Sequence, residues 1–85
     1  MFIHLGGEKV IRATELIGIF DVSIEEISKI SKQFVEYAHA NQFVETIGEE
    51  EPKSLVVALD KVYYSPISST TLKKRAKNLL TNLSS

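Results

Sequence analysis

Apolar positions along the chain fall into several short runs and two longer stretches of helical spacing. Phe2-Ile3-His4-Leu5 is a short apolar run stopped by Gly6-Gly7, which predicts a strand over residues 2–5 and a turn after it. Val10-Ile11 predicts a second short strand. Leu16-Ile17-Gly18-Ile19-Phe20 is a β-rich run of strand length, and Gly18 inside it predicts a bulge or a close backbone approach. Then the period changes. Ile27, Ile30, Phe34, Tyr37 and Ala38 recur at 3–4 spacing and predict one amphipathic helix over 24–40, with Lys29, Lys32, Gln33 and Glu36 on its wet side. Ser23 and Glu26 stand at capping-box spacing, Glu25 and Glu26 suit the positive end of the helix dipole, and Asn41 is the stop.

Residues 43–47 predict another strand. Gly48-Glu49-Glu50-Glu51-Pro52 reads as a hairpin loop, because Gly and Pro bracket three like charges. Residues 54–59 are mostly apolar, as in a strand buried on both faces. Asp60-Lys61 is a tight connection, residues 62–65 pair back, and Pro66 stops that strand. Ser68-Ser69-Thr70 offers caps for a last helix over 71–83, whose stripe is Leu72, Ala76, Leu79, Leu80 and Leu83. The predicted order is β-β-β-α-β-β-β-α: an α+β domain spanning 1–85, with a small mixed or antiparallel sheet and two helices. The stripe of the last helix must dock on the sheet or on another subunit.

Composition narrows the function classes. Of 85 residues, 44% are hydrophobic and 25% charged, the balance of one ordinary globular domain. Such a chain buries only about 60–65% of its unfolded surface. There is no cysteine, which excludes a disulfide scaffold and a thiolate metal site. The formal charge is −1, so no global basic field draws the chain to nucleic acid or membrane. The longest apolar run, Leu55-Val56-Val57-Ala58-Leu59, falls far short of the about 20 residues of a bilayer span, and the N-terminal residues lack a basic n-region and a cleavage site. The expectation is a cytoplasmic protein without a membrane contact.

No nucleotide-binding glycine loop, zinc-protease motif or nucleophile elbow is present, so the chain is expected to be no enzyme and to need no cofactor or metal. His4 reads as a strand-edge or interface histidine, and His39 as a complement to a helix C-terminus. Glu49, Glu50 and Glu51 are consecutive and point different ways, which suits a solvated loop tip better than a cation site. Tyr63 and Tyr64 face opposite sides of a strand, so one belongs to the core while the other is free to stack on a base or cover an interface. The most uneven feature is the C-terminal charge: Lys73, Lys74, Arg75 and Lys77 with no carboxylate after Pro66. On a helix Lys73 and Lys77 are one turn apart with Lys74 beside them, while Arg75 points elsewhere; the four make either a phosphate-contacting edge or a solvated helix face, and repeated around a symmetric ring they would form a continuous basic stripe.

Four segments taken together carry a resemblance. They are Phe2-Ile3-His4-Leu5-Gly6, Ile17-Gly18-Ile19-Phe20-Asp21, Pro52-Lys53-Ser54-Leu55-Val56-Val57 and, above all, Tyr63-Tyr64-Ser65-Pro66-Ile67-Ser68-Ser69-Thr70-Thr71-Leu72-Lys73-Lys74-Arg75-Ala76. They resemble the RemA/RemB family of extracellular-matrix regulators, on its RemB branch, over nearly the whole chain, with a slightly longer C-terminal helix. The resemblance implies a small bacterial cytoplasmic regulator of biofilm matrix genes, with a LytTR-like domain that assembles into rings. In the RemA branch, basic residues around the ring engage DNA. Here the corresponding positions are reversed in charge: Glu15 stands in the third-strand region, and Glu49-Glu50-Glu51 in the loop where an Arg pair is expected, with Lys53 the nearest cation. The resemblance therefore implies a non-enzymatic regulator acting through self-assembly and protein contacts, with a RemA-like paralogue as a possible co-assembling partner. The alternative is direct DNA binding through Lys53, Lys73, Lys74, Arg75 and Lys77.

Overall fold

The most continuously apolar run becomes an inner strand of the sheet in the computed structural model, which describes residues 1–84 and the side chains of residues 1–79. In chain order the elements are β1 (Phe2–Gly6), β2 (Lys9–Arg12), a 3-10 turn (Ala13–Glu15), β3 (Leu16–Asp21), α1 (Ile24–Ile27), α2 (Lys29–Ala40), β4 (Val44–Thr46), β5 (Ser54–Ala58), β6 (Val62–Ser65) and α3 (Ser69–Ser84). The predicted order and α+β class hold, with two differences.

The strands form two sheets rather than one. β1 and β2 make an antiparallel ribbon, and the other four form a mixed sheet in the order β3-β5-β6-β4. β5 is antiparallel to both β3 and β6, while β4 runs parallel to β6. The segment with the three glutamates is thus no hairpin tip: β6 lies between β4 and β5. The segment is a crossover, fixed at one end where the Ile47 amide donates to the Tyr64 carbonyl (2.9 Å) and at the other where the Lys53 amide donates to the Ser65 carbonyl (2.8 Å). Burial of Ile47 in the main core explains why the chain turns inward there before Gly48.

The predicted helix over 24–40 is broken at Ser28. Ser28 is extended (φ −126°, ψ 113°), and its hydroxyl accepts from the Ser31 amide at 3.2 Å, capping α2. Ser23 makes no side-chain cap; its amide and hydroxyl instead donate to Asp21 Oδ1. At the far end Asn41 closes α2 as predicted, and Gln42 takes the left-handed conformation (φ 61°) usually left to glycine.

Each face of the four-stranded sheet has its own core. One carries Ile19, Val56, Ala58 and Tyr63, covered by Ile3, Leu5 and Ile11 of the ribbon and by Leu72 of α3, with Ala76 and Leu79 beside it. Ser65 locks these layers together by donating to the Leu5 carbonyl and accepting from the Ile67 amide. Gly6 (φ 117°) lets the ribbon approach closely, since a Cβ there would stand 3.2 Å from the Pro66 ring. The opposite face carries Leu55 and Val62 under Val35 and Ala38 of α2, with Val44 and Tyr64 alongside. The predicted bulge is present: the register shifts between Leu16 and Gly18, and the Phe20 ring lies over Gly18, where a Cβ would come within 2.8 Å.

Candidate functional site

The basic residues of α3 do not act as one group. Ser68 caps the helix, its hydroxyl accepting from the Thr71 amide at 3.2 Å. Packing against the ribbon and sheet sets the rotation: Leu72, Ala76 and Leu79 face the core, and Lys73, Lys74 and Lys77 face outward. Arg75 turns inward instead, and its Nη1 donates to the His4 carbonyl of β1 at 2.8 Å. It ties helix to ribbon. The His4 ring is itself used locally, its Nε2 donating to the Gly7 carbonyl at 2.7 Å. Leu80 and Leu83 of the predicted stripe lie outside the described side chains.

Lys53 and Lys73 lie toward the same end of the sheet, near carboxylates. Asp21, Glu51, Lys53 and Ser68 line one shallow depression. The Ser23 amide and hydroxyl, with Lys73 nearby, hold the Asp21 carboxyl below the ordinary carboxylate range. A phosphate approaching this end meets mixed charge rather than a basic patch.

The charge-reversed positions are likewise not brought together. The Glu15 carbonyl accepts from the Leu59 amide at 2.9 Å, beyond one end of β5, whereas Glu50 and Glu51 precede its other end. The length of β5 separates them by about 15 Å. Glu49, Glu50 and Glu51 are all exposed. Among the described residues, no group of three His, Asp or Glu side chains could hold a metal ion, and no helix is long and apolar enough to cross a membrane.

Of the two tyrosines, Tyr63 is the core residue, with Lys9 Nζ 5.0 Å from its ring centroid. Tyr64 is not left open as a stacking platform. Its hydroxyl donates to Glu25 Oε1 at 2.6 Å, and His39 stacks on its ring at 5.9 Å between centroids. Burial, together with Glu25, pushes the phenol well above its ordinary pKa. The contact clasps α1 and the end of α2 to the sheet.

The largest departure from expectation concerns α2. Val35 and Ala38 reach the sheet, while Ile30 (80%), Tyr37 (63%) and Phe34 (44%) are exposed, as is Ile27 (82%) at the end of α1. On β3, Ile17 (63%) and Phe20 (38%) are exposed as well. Apart from Ile27, these exposed side chains line an apolar groove of two adjoining stretches that share Ile17, Phe34 and Val57, with Ile17, Phe20 and Val57 as its floor and Ile30, Phe34 and Tyr37 as its wall; the stretches measure about 470 and 290 Å³. Along the groove runs the outer edge of β3, which no strand covers among the described residues. The other edge strand, β4, is short and flanked by charge, with Glu45 bridging Lys61 (3.2 Å) and Lys9 (3.6 Å). A signal for the groove existed in the sequence: from Tyr37 through Ile30 and Phe34 to Val35, the apolar arc of this helix spans roughly 160°, wider than one sheet contact needs.

Residues 2–76 match the family model described as RemA-like, extracellular matrix regulatory protein A-like. The chain is also 40% identical, over 77 residues that make up 91% of each chain, to extracellular matrix regulatory protein B of Bacillus subtilis (strain 168).

Proposed function

Since the chain belongs to the RemA-like family of extracellular matrix regulatory proteins, we propose that it is a non-enzymatic regulator of matrix gene expression, working in the cytoplasm as an assembly of identical subunits and through protein contacts. The observation that carries this reading is the apolar groove between α2 and β3. A monomer would leave Ile17, Ile30, Phe34 and Tyr37 in water, and a contiguous patch of that kind marks an interaction surface. The fold belongs with the LytTR-like domains, and a RemA-like paralogue is a fitting second component of the assembly.

A second reading, direct DNA binding, is favoured by one observation: Lys73, Lys74 and Lys77 share the outward side of α3. Against it stand the exposed Glu49-Glu50-Glu51 loop and the carboxylates around Lys53 and Lys73. Duplex binding separates the two. Under the first reading the wild-type protein has little affinity for DNA at about 150 mM salt; changing all three glutamates to Gln raises affinity at low salt, and changing them to Arg raises it further. Tight wild-type binding that Lys73→Ala, Lys74→Ala and Lys77→Ala each weaken would establish the second reading instead.

A further inference from the structure

We infer that the cleft between β1 and α3 binds a small anion that carries a planar ring, of the nucleoside monophosphate class. The cleft is separate from the α2–β3 groove, on the other face of the sheet. It lies along the edge of β1 that β2 leaves uncovered, measures about 300 Å³, and is lined by Phe2, Ile3, His4, Arg75, Asn78 and Leu79. That size falls at the lower end of small-molecule sites.

Three of these side chains supply the recognition. Arg75 is anchored, because one Nη1 donor is held by the His4 carbonyl at 2.8 Å. Its guanidinium makes no other hydrogen bond among the described residues, so a fork of donors is left in a fixed place. A guanidinium held in this way suits a phosphate, which accepts two parallel N–H bonds from it. Asn78 stands one turn further along α3, exposed, with no partner for its amide among the described residues. An amide offers a donor and an acceptor side by side, the pattern that pairs with the edge of adenine. Phe2 is 61% exposed, and its ring is a face on which a base can stack. Ile3 and Leu79 form the apolar floor.

Charge favours an anion on this flank of α3 and not on the other. Among the described residues no carboxylate lines the cleft, while Arg12 stands opposite Phe2 in the ribbon register and Lys74 precedes Arg75. The ribbon's one carboxylate, Glu8, sits in the turn at its far end. The depression beside Lys53, on the other flank, holds Asp21 and Glu51. Inorganic phosphate would use Arg75 alone, and a simple aromatic carboxylate would leave Asn78 idle. A nucleoside monophosphate engages all three: phosphate on Arg75, base on Phe2, base edge on Asn78.

A heteronuclear NMR titration of the full chain with adenosine monophosphate tests this. Saturable amide shifts are expected around Phe2, His4, Arg75 and Asn78, with a Kd below about 1 mM. Adenosine and inorganic phosphate are each expected to bind at least about tenfold more weakly. Phe2→Ala and Asn78→Ala, at exposed positions, are each expected to weaken binding about tenfold with the far-UV circular dichroism unchanged. Arg75→Lys keeps the charge but loses the fork, and is expected to weaken binding as well. Lys73→Ala, on the other flank, is expected to leave it unchanged. No saturable shift at about 10 mM overturns the inference. So does phosphate that binds as tightly as the nucleotide, or a set of shifts that follows Lys73 and Lys77 instead, since either reduces the site to general anion attraction. The same phosphate and base could come from a strand end. A short single-stranded oligonucleotide with a terminal phosphate that binds these residues at least about tenfold more tightly than the free nucleotide would overturn the small-molecule assignment.

Discussion

The apolar stripes of α2 and α3 look alike in sequence and meet opposite fates. Leu72 of α3 is fully buried, whereas Ile30 of α2 is 80% exposed. α3 is held at several points: Ser68 caps it, Arg75 reaches the His4 carbonyl, and its stripe lies against both the ribbon and the sheet. Two layers share that helix, and its described apolar side chains, Leu72, Ala76 and Leu79, are all used. α2 meets only the β5–β6 half of its sheet face. The break at Ser28 and the Tyr64–Glu25 clasp bring Val35 and Ala38 down, which turns Ile30, Phe34 and Tyr37 toward the uncovered β3 half. A clear stripe therefore identifies a helix but not its partner; an arc wider than its contact points to a second one.

The sharpest test of this contrast is a pair of truncations followed by denaturant unfolding under conditions that keep the chain monomeric. Leu72→Ala is expected to cost about 2–5 kcal/mol, since it empties a fully buried site. Ile30→Ala, at 80% exposure, is expected to stay within about 0.5 kcal/mol. Comparable losses would mean that α2 packs as tightly as α3 and that the groove is not open.

A smaller effect is expected at the clasp. Tyr64→Phe keeps the ring against His39 but removes the hydrogen bond to Glu25, at a cost of about 1 kcal/mol. Amide exchange should quicken in α1 and the first turn of α2 while α3 is unaffected. Uniform quickening would show that the two helices are not independently anchored.

The smallest effect concerns the two sheet edges. Lys61 and, less strongly, Lys9 hold the Glu45 carboxyl below its ordinary range. A depressed carboxylate contributes stability above its unfolded pKa and loses that contribution as pH falls through the folded value. Glu45→Gln should therefore cost a few tenths of a kcal/mol at neutral pH, because the pair is partly solvated, and cost nothing once the carboxylate is protonated. An equal cost at pH 7 and pH 3 would assign the effect to packing rather than charge.

Period and punctuation alone were enough to place most elements. Gly6-Gly7 ends the first strand, Gly18 sits at a bulge, Asn41 stops α2, Pro66 ends β6, and Ser68 caps α3; each acts through local backbone chemistry, so each is legible without the fold. The family, too, was legible, because it rests on residue identity at many positions. Tertiary structure decided the rest, since it depends on what lies next to what. Strand order is one case: nothing local to Glu49-Glu50-Glu51 says that β6 will lie between β4 and β5 and turn a hairpin into a crossover. The basic residues are another: helix spacing already turns Arg75 away from Lys73, Lys74 and Lys77, but only the packing shows that it reaches the His4 carbonyl of β1. Periodicity gives the angle between side chains on a helix, but the rotation of that helix against a sheet is fixed by contacts distant in sequence. For α2 those are the Ser28 break, the Tyr64–Glu25 hydrogen bond and the seat of Val35 and Ala38 on Leu55 and Val62, and they leave the groove open.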